Sequence, residues 1–146
     1  MKRLSHARVT CPIARSLAIF GESWSLLILR ESFNGVTRFD DFQKNLKVSK
    51  NTLTTRLAAL VKRGILRRVP IEEGARRKHY KLTEKGKELY VVFMAIRQWG
   101  DKWTFDGPPP FAVVERETGL PVGSVDVRAQ DGRILKPRDT HLVRVA

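Results

Sequence analysis

Apolar positions recur every three or four residues between Ser49 and Gly64, in the stretch S-K-N-T-L-T-T-R-L-A-A-L-V-K-R-G. Leu53, Leu57, Leu60 and Val61 then share one face, and the period predicts a helix over 49–63. Ser49 suits its N-cap, and Gly64 stands where a left-handed C-cap belongs. The opposite face of the first turns carries Lys50, Asn51, Thr54 and Thr55, short donors and acceptors plus one cation. On an isolated helix such a face is most simply solvated surface. The next stretch changes that reading. Ile65 to Val69 alternates like a half-buried strand, a charged turn P-I-E-E-G-A-R-R-K follows, and Lys78 to Leu82 reads as a second strand. A helix followed at once by a basic hairpin is the winged helix-turn-helix arrangement, mainly α with a small β component.

The flanking pattern fits. After a basic leader, residues 1–10, Pro12 suits the first position of a helix with Cys11 as its cap and Ile13, Leu17 and Phe20 on one side. Ser23 is expected to cap the next helix, which carries Trp24, Leu27, Ile28 and Phe33 and ends before Asn34-Gly35. Asp40 and Gln43 read as a capping box for a helix that turns Phe42 and Leu46 inward. The break K-V-S leads straight into the Ser49 helix, and this closely spaced pair is the helix-turn-helix. Beyond the hairpin, Thr83 is expected to cap a long helix running to about Trp103.

Along that last helix Leu89, Val92, Phe93, Ile96, Trp99 and Trp103 approach a three-four repeat. A small domain cannot cover so long a stripe alone. Pairing with the same helix of a second subunit is the more economical account, with Leu17 of the first helix placed beside it, and a purely intramolecular role for the stripe is the alternative. At 106–110 the composition shifts to D-G-P-P-P, which marks a boundary. Past it, F-A-V-V-E-R, V-G-S-V-D-V-R and L-V-R-V predict short strands, and Asp131-Gly132 signals a hairpin turn. The expected organisation is therefore a leader (1–10), a winged domain with dimerisation helices (11–103) and a β-rich extension (104–146).

Charge sharpens the function. The 146 residues carry a formal net charge of +13, which favours a polyanionic partner. No apolar run approaches the roughly 18 residues a membrane-spanning helix needs, and no secretory signal follows the basic start. The expectation is a cytoplasmic protein with no membrane partner. The single cysteine, Cys11, excludes an internal disulfide and any multi-cysteine metal site, and His6, His79 and His141 are scattered. No cofactor and no metal are expected. Nor is an enzyme: no nucleophile-base-orienter spacing or phosphate loop occurs, and G-E-S-W-S lacks the second glycine of a nucleophile elbow.

Several separate motifs, in order and at matching distances, resemble the HxlR-type winged-helix transcriptional regulators. They are C-P-I-A-R-S-L-A-I-F-G-E-S-W-S-L-L-I-L-R-E, R-F-D-D-F, the S-x-x-x-L-x-x-R-L-x-x-L core of the Ser49 helix, Y-K-L-T-E-K-G after the wing, and the helix ending in Q-W-G. The resemblance covers residues 11 to about 103 and leaves the extension outside the core pattern. It implies a dimeric DNA-binding regulator whose terminal helices pair the subunits. Some members respond to electrophiles or oxidants through a cysteine at the Cys11 position.

The candidate roles divide by chemistry. Arg38 and Lys50 are placed for backbone contacts, and Arg76, Arg77 and Lys78 at the wing (70–80) for phosphates or a minor groove flanking the site. Arginine's planar fork takes phosphate oxygens bidentately and keeps its charge. Base reading falls to Asn51, which can pair with adenine, and to Thr54 and Thr55, whose hydroxyl or methyl can meet a base edge. Arg56 precedes core Leu57, so it either contacts the backbone or braces the motif. Cys11, at a helix N-terminus near Arg15, is a candidate oxidant or electrophile sensor; the alternative is a small buried hydrophobe. The partners expected are a second copy of the chain, double-stranded DNA carrying an approximate inverted repeat, and a small-molecule or oxidant effector. A winged-helix protein-interaction module is the rival reading, and the A-R-R-K run argues against it.

Overall fold

The computed structural model describes residues 10–145. Six α-helices and one two-stranded antiparallel hairpin are formed among them: α1 (Pro12–Phe20), α2 (Ser23–Phe33), α3 (Phe39–Leu46), α4 (Lys50–Lys62), β1 (Leu66–Pro70), β2 (Lys78–Leu82), α5 (Glu84–Lys87) and α6 (Leu89–Trp103). The expected leader lies outside the described residues except for Thr10. By contacts the chain falls into two compact units that divide between Phe93 and Met94, inside α6 rather than at the Pro-rich shift.

In the first unit the core forms where the helical period placed it. Leu53, Leu57 and Leu60 of α4 are fully buried, together with Phe42, Leu46 and Val48 from α3 and the turn, Ile28 and Leu29 of α2, and Ile65 and Leu66. Val61, Trp24, Leu27, Phe33 and Phe20 are half-buried and pack against that cluster. Helix α1 buries no residue: Ile13 and Leu17 are exposed. It meets α2 across Gly21–Glu22 at a bend of 76°, and among the described residues no single helix is long and apolar enough to cross a membrane.

Three caps differ from expectation. Glu22, not Ser23, caps α2, its carboxylate accepting from the Ser25 amide at 3.1 Å. The Asp40/Gln43 capping box does not form. Helix α3 begins at Phe39 with Arg38 in the cap position, and Asp40 and Asp41 lie within its first turn, where they complement the helix dipole. Arg38 is held there by an antiparallel bridge to His79, while the Thr37 carbonyl accepts from the Tyr80 amide at 2.7 Å. Thr83 does cap a helix, but that helix is the short α5; the chain is interrupted at Glu88 before α6 begins. Gly86 packs so closely on the Ile65 carbonyl that a Cβ would not fit there, so α5 is pinned to the foot of the hairpin.

Buried Glu31 ties α2 to α3. Its carboxylate meets the Arg30 Nη2 at 2.9 Å and accepts from Asn45 Nδ2 at 2.8 Å. Glu31→Ala removes the acceptor for both. The expected cost is about 1.5–3 kcal/mol, read as a lower urea midpoint with an unchanged slope; an unaltered midpoint would show the contacts to be energetically idle.

In the second unit the predicted strands of the extension are absent. Two turns form instead, closed by isolated bridges Val114↔Pro121 and Arg128↔Ile134. Gly119 and Gly132 supply the positive φ, +70° and +90°, so Asp131-Gly132 does mark a turn. No ladder develops. Pro121 has no amide to donate, and L-V-R-V lies exposed outside any strand. Arg133 donates to Asp131 and holds its carboxyl below the usual carboxylate range. What orders the segment is polar docking on α6. Arg97 Nη2 donates to the Phe111 carbonyl at 2.8 Å, and Gln98 both donates to the Gly123 carbonyl at 3.0 Å and accepts from the Val125 amide at 2.8 Å.

Candidate nucleic-acid interface

The helix-turn-helix is built by two termini. Helix α3 stops at Lys47, which is left-handed (φ 52°, ψ 37°) and returns its amide to the Gln43 carbonyl at 2.9 Å. Val48 drops into the core, and Ser49 caps α4 by accepting from the Thr52 amide at 3.2 Å while its hydroxyl donates to Thr52 Oγ1 at 2.9 Å. The far end of α4 is a Schellman motif. The Gly64 amide donates to the Val61 carbonyl and the Ile65 amide to the Leu60 carbonyl, with Gly64 at φ +73°. Thr83 then locks the hairpin to this terminus, donating its hydroxyl to the Gly64 carbonyl and accepting from the Gly86 amide at 3.0 Å.

With Leu53, Leu57 and Leu60 turned inward, Lys50, Asn51, Thr54 and Thr55 are exposed, and none of these four side chains has a hydrogen-bond partner among the described residues. Arg56 stands beside Glu22. Its Nε lies 3.2 Å from the Glu22 carboxylate that caps α2, an ion-pair distance, although the N–H is not aligned for a hydrogen bond. A half-exposed pair of this kind fixes α4 against α2 more than it stabilises the fold.

In the hairpin, Leu66↔Leu82 to Pro70↔Lys78 pair in register, and the tip spans Ile71 to Arg77. Arg76, Arg77 and Lys78 are exposed. Together with Arg38 from the start of α3 they line a cleft of about 370 Å³ beside Tyr80. Asp40 and Asp41 line the same cleft and give it a mixed-charge wall that the basic run alone does not signal. The wing cations and Arg38 are thus brought together, while Thr37 Oγ1 and His79 Nδ1, 2.7 Å apart, secure the joint between α3 and β2. That joint joins residues far apart in sequence and carries no local signal.

The proposed pairing residues separate into two groups. Leu89 packs on the core of its own chain, and Phe93 stacks on Phe33 with ring centroids 5.3 Å apart. Leu17, Val92, Ile96, Trp99 and Trp103 are exposed, the two tryptophans at 64% each. Cys11 is exposed, caps α1 through its backbone carbonyl to the Arg15 amide at 3.1 Å, and makes no side-chain cap bond.

Residues 19–107 match the HxlR-like helix-turn-helix family. The chain belongs to that family. Its members and relatives are HTH-type transcriptional regulators, not enzymes, and so is this chain a regulator of that type. It is 42% identical over 108 residues to the HTH-type transcriptional regulator MT3179 of Mycobacterium tuberculosis, covering 73% of this chain and 68% of that one. Among solved structures it is similar to PA1607, described provisionally as a transcription factor, at 43% identity and a TM-score of 0.91, covering 97% of this chain and 99% of that one. It is also similar to the redox regulator HypR in its oxidised form, at 26% identity and a TM-score of 0.56, covering 62% of this chain and 94% of that one. The match to PA1607 therefore takes in the extension as well as the winged region, whereas that to HypR leaves more than a third of this chain uncovered.

Proposed function

We propose that this HxlR-like regulator binds double-stranded DNA in a sequence-specific way as a homodimer in the cytoplasm. Helix α4 enters the major groove, Asn51, Thr54 and Thr55 read base edges, and Lys50, Arg38, Arg76, Arg77 and Lys78 hold flanking phosphates. The observation that supports this best is the unpartnered polar face of α4 on the same unit as the cationic hairpin tip, in a chain of net charge +13. Two subunits paired through α6 would present their α4 helices to successive major grooves about 34 Å apart, so the operator is an approximate inverted repeat.

Selection of bound sequences from random DNA tests the reading. For Asn51→Ala, preference is expected to disappear at one or two base pairs per half-site, about 1–3 kcal/mol of discrimination for a bidentate contact, with non-specific binding retained. A selection that returns the parent motif would remove Asn51 from base readout. Failure of the parent chain to bind any duplex would leave the protein-interaction reading.

Cys11 is the proposed oxidant or electrophile sensor, a role supported by its exposure at the start of α1 and by the naming of HypR as a redox regulator. With one cysteine in the chain, a disulfide must join two subunits or capture a small thiol. The expected result is DNA release on diamide treatment of the parent and none for Cys11→Ser. Equal response of the two proteins would end the proposal.

A further inference from the structure

We propose that the pocket at the foot of the hairpin is a binding site for a small organic anion, a phosphate or carboxylate carried on an apolar body. The pocket, about 220 Å³, lies where β1 and β2 pass the end of α2 and the segment before α3. Arg67 and Lys81 both line it and are direct Cα partners across the ladder. Like charges placed opposite one another destabilise a strand pair unless a counter-charge intervenes. Neither has an acidic partner among the described residues. Lys87 of α5 adds a third cation, although its Nζ already binds the Glu84 carboxylate at 2.7 Å.

The remaining wall suits the rest of such a ligand. Ser32 lines the pocket, and its hydroxyl oxygen is buried with no hydrogen-bond partner, an arrangement that buried hydroxyls rarely keep. Thr37, whose hydroxyl is engaged with His79, stands beside it. Val36, Tyr80 and Leu82 supply apolar surface. Two uncompensated cations, an unsatisfied hydroxyl and an apolar wall together describe a site for an amphipathic anion.

The site shares Tyr80 with the cleft at the wing tip and differs from it in Ser32, Arg67 and Lys81, which line this pocket alone. Its occupancy does not require that the chain bind DNA, and DNA backbone phosphate is the competing source of the same charge. Titrating the full chain with phenyl phosphate at constant ionic strength, followed by amide NMR, distinguishes the two. The expected result is saturable shifts centred on Ser32, Thr37, Arg67 and Lys81, with inorganic phosphate binding at the same amides more weakly. Arg67→Gln or Lys81→Gln is expected to weaken phenyl phosphate about tenfold, whereas Lys44→Gln on exposed α3 surface leaves it unchanged. Both pocket positions are exposed, so the variants should keep the dispersed spectrum of the parent. Non-saturating shifts spread over exposed lysines and arginines would overturn the proposal. So would Arg67→Gln leaving phenyl phosphate unaffected while lowering the salt slope of DNA binding by about 1, which would assign the pair to the DNA backbone.

Discussion

Replacing Ile96 and Trp99 together by glutamate is expected to convert a dimer into a monomer and to weaken binding to a full inverted repeat by about 10²–10⁴-fold, the range lost when two linked contacts become independent. Both side chains are exposed, at 51% and 64%, and stand three positions apart on one helix. Glutamates there cost the isolated chain little, because neither side chain belongs to the buried core. Against a second copy they bring charges into an apolar seam, where unpaired charge is strongly disfavoured. Affinity for a single half-site should change far less than affinity for the repeat. Sedimentation of parent and variant, with binding to both duplexes, decides the matter. A parent that sediments as a monomer, or a variant that remains a dimer, would refute α6 pairing. Leu89 is the contrasting position. It packs on its own core, so a substitution there would confuse folding with pairing.

That contrast marks how far periodicity reaches. A three-four repeat identifies which residues of a helix are apolar, not which surface covers each one. Leu89 packs on the chain's own core and Phe93 on Phe33 of α2, whereas Val92, Ile96, Trp99 and Trp103 remain exposed. For α4 the same reasoning was nearly sufficient. Three leucines at helical spacing filled the core, Ser49 capped one end and Gly64 terminated the other, because each of these acts within a few residues of its own position.

Non-local contacts were the ones that local pattern could not supply. Asp40 has the spacing of a capping box, yet the His79 bridge draws Arg38 into the cap position and starts the helix at Phe39. Arg56 is suited by residue type to phosphate or to bracing, and its neighbour Glu22, far away in sequence, is visible only in the fold. In the extension, alternating valines suggested strands. A strand needs a neighbour that offers a continuous row of amides and carbonyls, and the two turns provide only single bridges. The Gln98 side chain, which both donates to and accepts from that segment, takes the place of a ladder.

Removing all three wing cations, with Arg76→Ala, Arg77→Ala and Lys78→Ala combined, carries the largest expected electrostatic effect. If each neutralises one phosphate, the plot of log affinity against log salt should become shallower by about 3, at roughly 0.9 per contact. At 0.1 M salt the corresponding counterion release is worth about 10²–10³ in affinity. The loss should be nearly uniform across sequences, because backbone contacts position a protein without reading bases. Asp40 and Asp41 give the experiment a second edge. They share the cleft with these cations, so in the triple variant their negative charge faces the duplex uncompensated, and changing both to asparagine in that background should recover part of the loss. Binding in the triple variant with the parent's salt slope would show that the hairpin tip does not meet the backbone. A loss confined to particular base pairs would make the wing a reader of sequence rather than a clamp.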